Sequence, residues 1–284
     1  MPGPLNNSGE IQVMSTTTDE ILQTELPAKP AVLSRLGVEM QQEDPDFARV
    51  SELIGADVGL ASAVVKIANS PYVGLGRRIA SVQQAVMYLG LSEVFGVVTG
   101  LLLRRSFKGG GAQMEQLWDA AARRAGFMSW LARQLRATNA DRAYTCGLFE
   151  DCGMAVLLMR APGYAQALPQ LLAMPNPRET ERQVHGLDHV VLSQALIRAW
   201  GLPDVIALAV KCHHDVADLE SLSIEPEART LVALSAFGNE ALRRQDGVET
   251  LWPAHANQVA RVLGRSLEDL EAQFDELLSL PEAA

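Results

Sequence analysis

Cysteine, aromatic residues and excess positive charge are all scarce in this 284-residue chain, and each shortage excludes something. Three cysteines, Cys146, Cys152 and Cys212, form no CxxC pair and leave an odd count. No secretory signal is evident, so they read as reduced thiols packed as small apolar side chains in a cytoplasmic protein. Phe, Trp and Tyr make up 5% of the residues and the formal net charge is −10. A nucleic-acid binder needs the opposite, a basic footprint with aromatic platforms for bases, so nucleic acid is not an expected partner. No apolar run approaches the roughly 18 residues that span a bilayer; the stretch LGLSEVFGVVTGLLL is broken by polar residues and glycine, and no membrane association is expected.

Strand signals are nearly absent too, and helix signals follow one another. Residues 1–19 are rich in Pro, Gly, Asn, Ser and Thr and read as a flexible tail. Thr17 and Glu20 have capping-box spacing, Pro30 suits the first turn of PAVLSRLGVEM, and Asp44–Pro45 open a helix whose Phe47, Val50, Leu53 and Ile54 share one face. Ser81 opens SVQQAVMYL and Gly90 closes it. Three consecutive glycines, Gly109 to Gly111, separate a helical subdomain over 20–109 from a second over 110–284. Later helices cover HVVLSQALIRAW, DVIALAVKCHH and EARTLVALSAFGNEALRR. SLEDLEAQFDELLSL carries a stripe of Leu267, Leu270, Phe274, Leu277 and Leu278. The fold class is all-α, with two packed helical subdomains.

The chemistry centres on GLFEDCG, where Glu150 and Asp151 stand in an apolar setting. Buried carboxylates need a metal ion, a basic side chain or water opposite them. Four histidines, His185, His189, His213 and His214, are enough in kind for zinc or manganese. Their spacing helps less: Gly186 places a turn between the first two. His213 and His214 would project about 100° apart on a helix, so they share an ion only at a distorted helix end. Arg124 interrupts the apolar register of Leu117, Ala121, Met128, Leu131 and Leu135. It is the expected partner of Glu150 or Asp151, the alternative being a packing Arg whose head reaches water.

LPAKPAVLSRL, LIGADVGLASAVVKIANSPYVG and SVQQAVMYLGLSEV, followed by GLDHVVLSQALIRAWGLPDVIALAVKCHH, resemble the HDOD family of bacterial signalling proteins over about residues 25–215. That family is related to HD-type metal phosphohydrolases, which hold their ions with a His, a His-Asp pair and a late Asp. The resemblance puts the first His at Ala120 and the pair at Glu150-Asp151, and it puts the late Asp near Ser235 and Ala236. One of the four ligands is unchanged, which implies a degenerate metal pocket with no cofactor. His189, His213 and His214 would hold helices together.

The function implied is non-catalytic signal transduction through a regulatory protein partner, such as a two-component or cyclic-dinucleotide signalling protein. The competing functions are a metal-dependent phosphohydrolase acting on a nucleotide or cyclic dinucleotide, and a nucleotide-sensing domain. The loop at Asn69, Ser70, Pro71 and Tyr72 reads first as loop closure by Asn69, and as a candidate partner contact second. Arg104, Arg105, Lys108, Arg123, Arg133 and Arg136 form a candidate basic surface. The oligomeric state is left open.

Overall fold

The computed structural model describes residues 26–69, 78–107, 109 and 111–280. The described residues hold helices and no strand. The first group comprises α1 (Ala31–Met40), α2 (Phe47–Gly55), α3 (Val58–Ala68), α4 (Val82–Leu89) and α5 (Leu91–Ser106). Local chemistry sets its boundaries. Asp46 caps α2 by accepting from the Ala48 and Arg49 amides, and Asp57 does the same for α3 through Gly59 and Leu60. Ser81 caps α4, and Gly90, at φ 81°, both ends α4 and starts α5. The helix that the sequence begins at Asp44–Pro45 therefore starts at Phe47, and Phe47 is 41% exposed while Val50, Leu53 and Ile54 are buried.

Asn69 is the end cap of α3 with an ordinary φ of −93° rather than a left-handed one. Its amide accepts from the Ile79 amide and donates to the Ile79 and Val65 carbonyls, each at 2.8 Å. That is loop closure. The rest of the candidate partner loop, Ser70, Pro71 and Tyr72, lies outside the described residues, as do the tail over 1–19 and the Thr17–Glu20 capping box.

The second group is built on α6 (Gly111–Leu135), which packs against α7 (Ala140–Phe149) and α13 (Pro226–Gln245). Between these in sequence lie α8 (Cys152–Arg160), α9 (Tyr164–Ala173), α10 (Arg178–His185), α11 (His189–Ala199) and α12 (Asp204–Cys212). The helices α14 (Trp252–Leu263) and α15 (Leu267–Ser279) close the chain. Ser266 and Asp269 form a reciprocal capping box on α15. Its inner face is Leu270, Phe274 and Leu277, with Leu267 and Leu278 left outside at 41% and 38% exposure. Phe274 stacks on Phe237 and meets the Trp252 ring edge-on.

The groups are joined where α5 packs against α7. The fully buried Trp200 indole donates to the Pro27 carbonyl at 2.8 Å. Two glycines permit close helix approach near the site. A Cβ on Gly147 would lie 2.8 Å from the Ala125 Cα of α6, and one on Gly153 would lie 2.0 Å from the His189 carbonyl oxygen of α11. Among the described residues, no single helix is long and apolar enough to cross a membrane; α4 and α5 together reach that composition but are bent by 118°. The expected basic surface is largely neutralised: Arg104 pairs with Glu115 and Asp119, Arg105 with Asp57, Arg123 with Asp246 and Arg133 with Glu93.

Candidate metal centre

Asp151 sits at the junction where α7 ends and α8 begins. Ser193 on α11 fixes that junction: its hydroxyl donates to the Glu150 carbonyl at 3.0 Å and accepts from the Gly153 amide at 2.8 Å. The two oxygens of Asp151 face different groups. Oδ2 accepts from Arg124 Nη1 at 2.8 Å, while Oδ1 lies 3.5 Å from both His189 Nε2 and His213 Nε2.

Arg124 is 3% exposed, at the inward register of α6. Its Nε donates to the Gly147 carbonyl at 3.0 Å and lies 3.0 Å from Glu150 Oε1, and its Nη1 reaches the Asn239 amide oxygen at 3.3 Å. Asn239 on α13 in turn donates to Glu150 Oε1 at 2.8 Å. Burial opposes charge on the Asp151 carboxyl, but Arg124, then His213 and His189, hold it well below the usual carboxylate range. The guanidinium is itself held charged against burial by Glu150 and Asp151. Ala120, one turn before Arg124 on α6, lines the same cavity, as does Ala236 on α13. Ser235 is fully buried beside Asn239.

Three imidazoles complete the centre. Asp188 caps α11 by accepting from the Val191 amide, and His189 is the first residue of that helix. His189 Nδ1 lies 2.6 Å from the buried Glu181 carboxylate, whose other oxygen accepts from the Tyr164 hydroxyl at 2.6 Å. His213 caps the C-terminus of α12, where the chain leaves the helix, so His214 swings onto the same side. Their ring centroids are 4.0 Å apart. His213 Nδ1 donates to the Val210 carbonyl at 2.7 Å and His214 Nδ1 to the Pro175 carbonyl at 3.1 Å. The helix ends at His213 with ordinary right-handed torsions, φ −64° and ψ −18°, and both rings nevertheless face the same centre.

These outer contacts fix the tautomers. A carbonyl or a carboxylate can only accept, so each Nδ1 carries a hydrogen and each Nε2 is the ring nitrogen left to face inward. Burial, then the neighbouring His213 and His189, push the His214 imidazole down to about 2, so it is neutral. Its Nε2 is 3.0 Å from His189 Nε2. Two lone pairs cannot face each other at that distance with nothing between them; a proton or a cation must lie there.

The donor atoms of Asp151, His189, His213 and His214 all lie within 4.8 Å of one another. A tetrahedral shell with bonds of about 2.1 Å sets its donors about 3.4 Å apart. Three of the six donor separations, one of 3.0 Å and two of 3.5 Å, are close to that spacing. His213 Nε2 is buried without a hydrogen-bond partner, which also fits a ligand position. The residues present thus fit one divalent ion. His185 is not among them; its ring packs on Tyr164. Counting only the four hydrolase positions overlooked Glu181 and Asn239. The signal for Asn239 was available, since it lies one turn from Ser235 on α13.

A cavity of about 310 Å³ opens onto Asp151, His213 and His214 between Met174, Leu242 and Trp252. A model of the HDOD domain family matches residues 26–216. The chain belongs to the HDOD domain family. An uncharacterized protein of Treponema pallidum is 26% identical over 234 residues, which is 78% of this chain and 43% of that protein. The Bacillus subtilis protein YuxH is 28% identical over 111 residues, 39% of this chain and 27% of its own. The chain thus spans less than half the length of these curated relatives.

Among solved structures, an HDOD protein of unknown function from Geobacter sulfurreducens is similar at a TM-score of 0.71 and 24% identity, covering 92% of this chain and 94% of that one. A Shewanella amazonensis protein named as a candidate phosphohydrolase follows at 0.69 and 18%, covering 90% and 92%. A Marinobacter aquaeolei protein named as a candidate signal transduction protein follows at 0.68 and 23%, covering 89% and 57%. These likenesses establish the shared fold.

Proposed function

We propose that this HDOD chain is a non-hydrolytic signalling module that acts by contact with a regulatory protein. The observation that carries the reading is the buried Arg124 guanidinium between Glu150 and Asp151. Metal-assisted hydrolysis needs an ion with an open position that lowers the pKa of bound water and polarises the phosphate. A guanidinium stays protonated and offers no coordination position. One oxygen of Asp151 is committed to it, and the first hydrolase His position is Ala120. Contact with a protein partner is what the resemblance to signalling proteins implies once hydrolysis is gone.

The test is a turnover screen of purified protein with phosphodiesters, nucleotides and cyclic dinucleotides in Mn²⁺, Fe²⁺ or Zn²⁺. No turnover above the metal-only blank is expected. Hydrolysis that vanishes in Asp151→Asn would overturn the reading. The second reading, a metal-dependent phosphohydrolase, is favoured by one observation, the convergence of three Nε2 atoms on Asp151. There an ion held by Asp151, His189, His213 and His214 would activate water, and the same screen decides between the two.

A further inference from the structure

We infer that this centre takes a single divalent first-row transition ion, held by Asp151, His189, His213 and His214, and that the Arg124 guanidinium permanently stands in for a second. The first part rests on donor chemistry. Three inward-facing Nε2 atoms and one carboxylate oxygen form an imidazole and carboxylate donor set of the kind zinc, iron and manganese accept. Every imidazole is held from behind: His189 by the Glu181 carboxylate, His213 by the Val210 carbonyl and His214 by the Pro175 carbonyl. That outer shell fixes ring orientation before any ion arrives. Tyr164 holds the far oxygen of Glu181, so the support is two residues deep. The cavity supplies an entry path to Asp151, His213 and His214.

The limit to one ion rests on charge and on space. Glu150 and Glu181 are fully buried and Asp151 nearly so, and Arg124 is the cation paired with the first and third. Three carboxylates against one guanidinium leave two negative charges around the imidazoles, which one divalent ion neutralises. A second divalent ion would leave an equal positive excess in a buried site, which the low dielectric there opposes. It would also need Asp151 Oδ2, the oxygen already facing Arg124 Nη1, and would have to sit beside that guanidinium. Asp151 therefore bridges an ion and a side chain, as a carboxylate elsewhere bridges two ions.

This inference shares Arg124 with the non-hydrolytic reading but does not depend on it. The experiment strips full-length, tag-free protein with chelator and titrates it with Co²⁺, reading visible d–d absorption. Metal analysis after loading with Zn²⁺ or Mn²⁺ gives the stoichiometry. One ion per chain is expected. His214→Ala, which removes a half-buried ring, and His189→Ala should each weaken binding by more than about 100-fold, beyond what outer-shell losses typically cause. His185→Ala should leave binding unchanged. Zn²⁺ should raise the thermal midpoint of the wild type and not of His214→Ala, which separates ligand loss from misfolding.

No ion above the chelator blank, two ions per chain, or one ion insensitive to both histidine variants would each overturn the inference. One ion with turnover would sink the proposed function and leave this inference standing. No ion with no turnover would do the reverse.

Discussion

Arg124→Ala removes the one guanidinium that, among the described residues, pairs with Glu150 and Asp151. The substitution strands a carboxylate that is fully buried, Glu150, and a second, Asp151, whose side chain is 13% exposed. It also leaves the Gly147 carbonyl without the Nε donor at 3.0 Å. Breaking a buried pair by deleting one partner typically costs about 3–5 kcal/mol, because the remaining charge is left uncompensated. A domain holds only about 5–15 kcal/mol in total, so the loss is a large fraction of the stability. Urea unfolding measures it, followed in parallel by far-UV circular dichroism and by fluorescence of the four buried tryptophans, Trp118, Trp130, Trp200 and Trp252. Coincident transitions license a single free energy.

The Glu150→Gln variant completes a double-mutant cycle. Once Arg124 is gone, removing the Glu150 charge relieves part of the damage, so the double variant should lose less than the sum by about 1–3 kcal/mol. A loss below about 1 kcal/mol in Arg124→Ala, or no coupling to Glu150, would show that the guanidinium is a packing side chain. The role assigned to it here would then fail.

Three other outcomes are expected. Gly153→Ala puts a methyl 2.0 Å from the His189 carbonyl oxygen, which must push α8 from α11; overpacking of this kind costs about 1–3 kcal/mol or more, read as a lower urea midpoint, and an unchanged midpoint would contradict the close approach. Phe274→Ala opens the stack on Phe237 and Trp252 and should cost about 3–5 kcal/mol in the same assay, whereas a loss under 1 kcal/mol would place α15 outside the cooperative unit. The Arg105 guanidinium and the Leu60 amide lower the Asp57 carboxyl to about 2. Its contribution to stability is therefore present above the unfolded value of about 3.9 and lost as pH falls through the folded value. An NMR titration should find Asp57 near 2 in the wild type and closer to the unfolded value in Arg105→Ala; equal values in both would refute the Asp57–Arg105 contact.

Legibility in the sequence followed the strength of the local signal. Ser81 and Gly90 are capping residues in the structure as they are in the sequence, and α4 was readable because capping is local chemistry, whereas the cap of α2 is Asp46, two residues past the Asp44 start that the sequence suggested. The stretch behind Asp151 was harder. CGMAVLLMR is apolar almost throughout and has no face to detect, since α8 is buried nearly all round. α10 has the reverse problem: among RETERQVH only Glu181 is buried, so no apolar stripe announces it. Yet Glu181 orients His189.

The site was legible in part for the same reason. Arg124 stood out because a charge broke an apolar register. The joint use of His213 and His214 did not, because it depends on the helix ending at Cys212, and helix ends are fixed only to within a residue or two by sequence. Asn239 was passed over because the reading sought a carboxylate at Ser235 and Ala236. In the folded protein an amide spans Glu150 and Arg124 instead.

The account stands or falls on what occupies the space around Asp151, and anomalous diffraction from crystals loaded with Zn²⁺ and Mn²⁺ measures that directly. It predicts one anomalous peak among Asp151, His189, His213 and His214, with the Arg124 guanidinium still on the other oxygen of Asp151. Two peaks sharing Asp151, with Arg124 swung away, would contradict it.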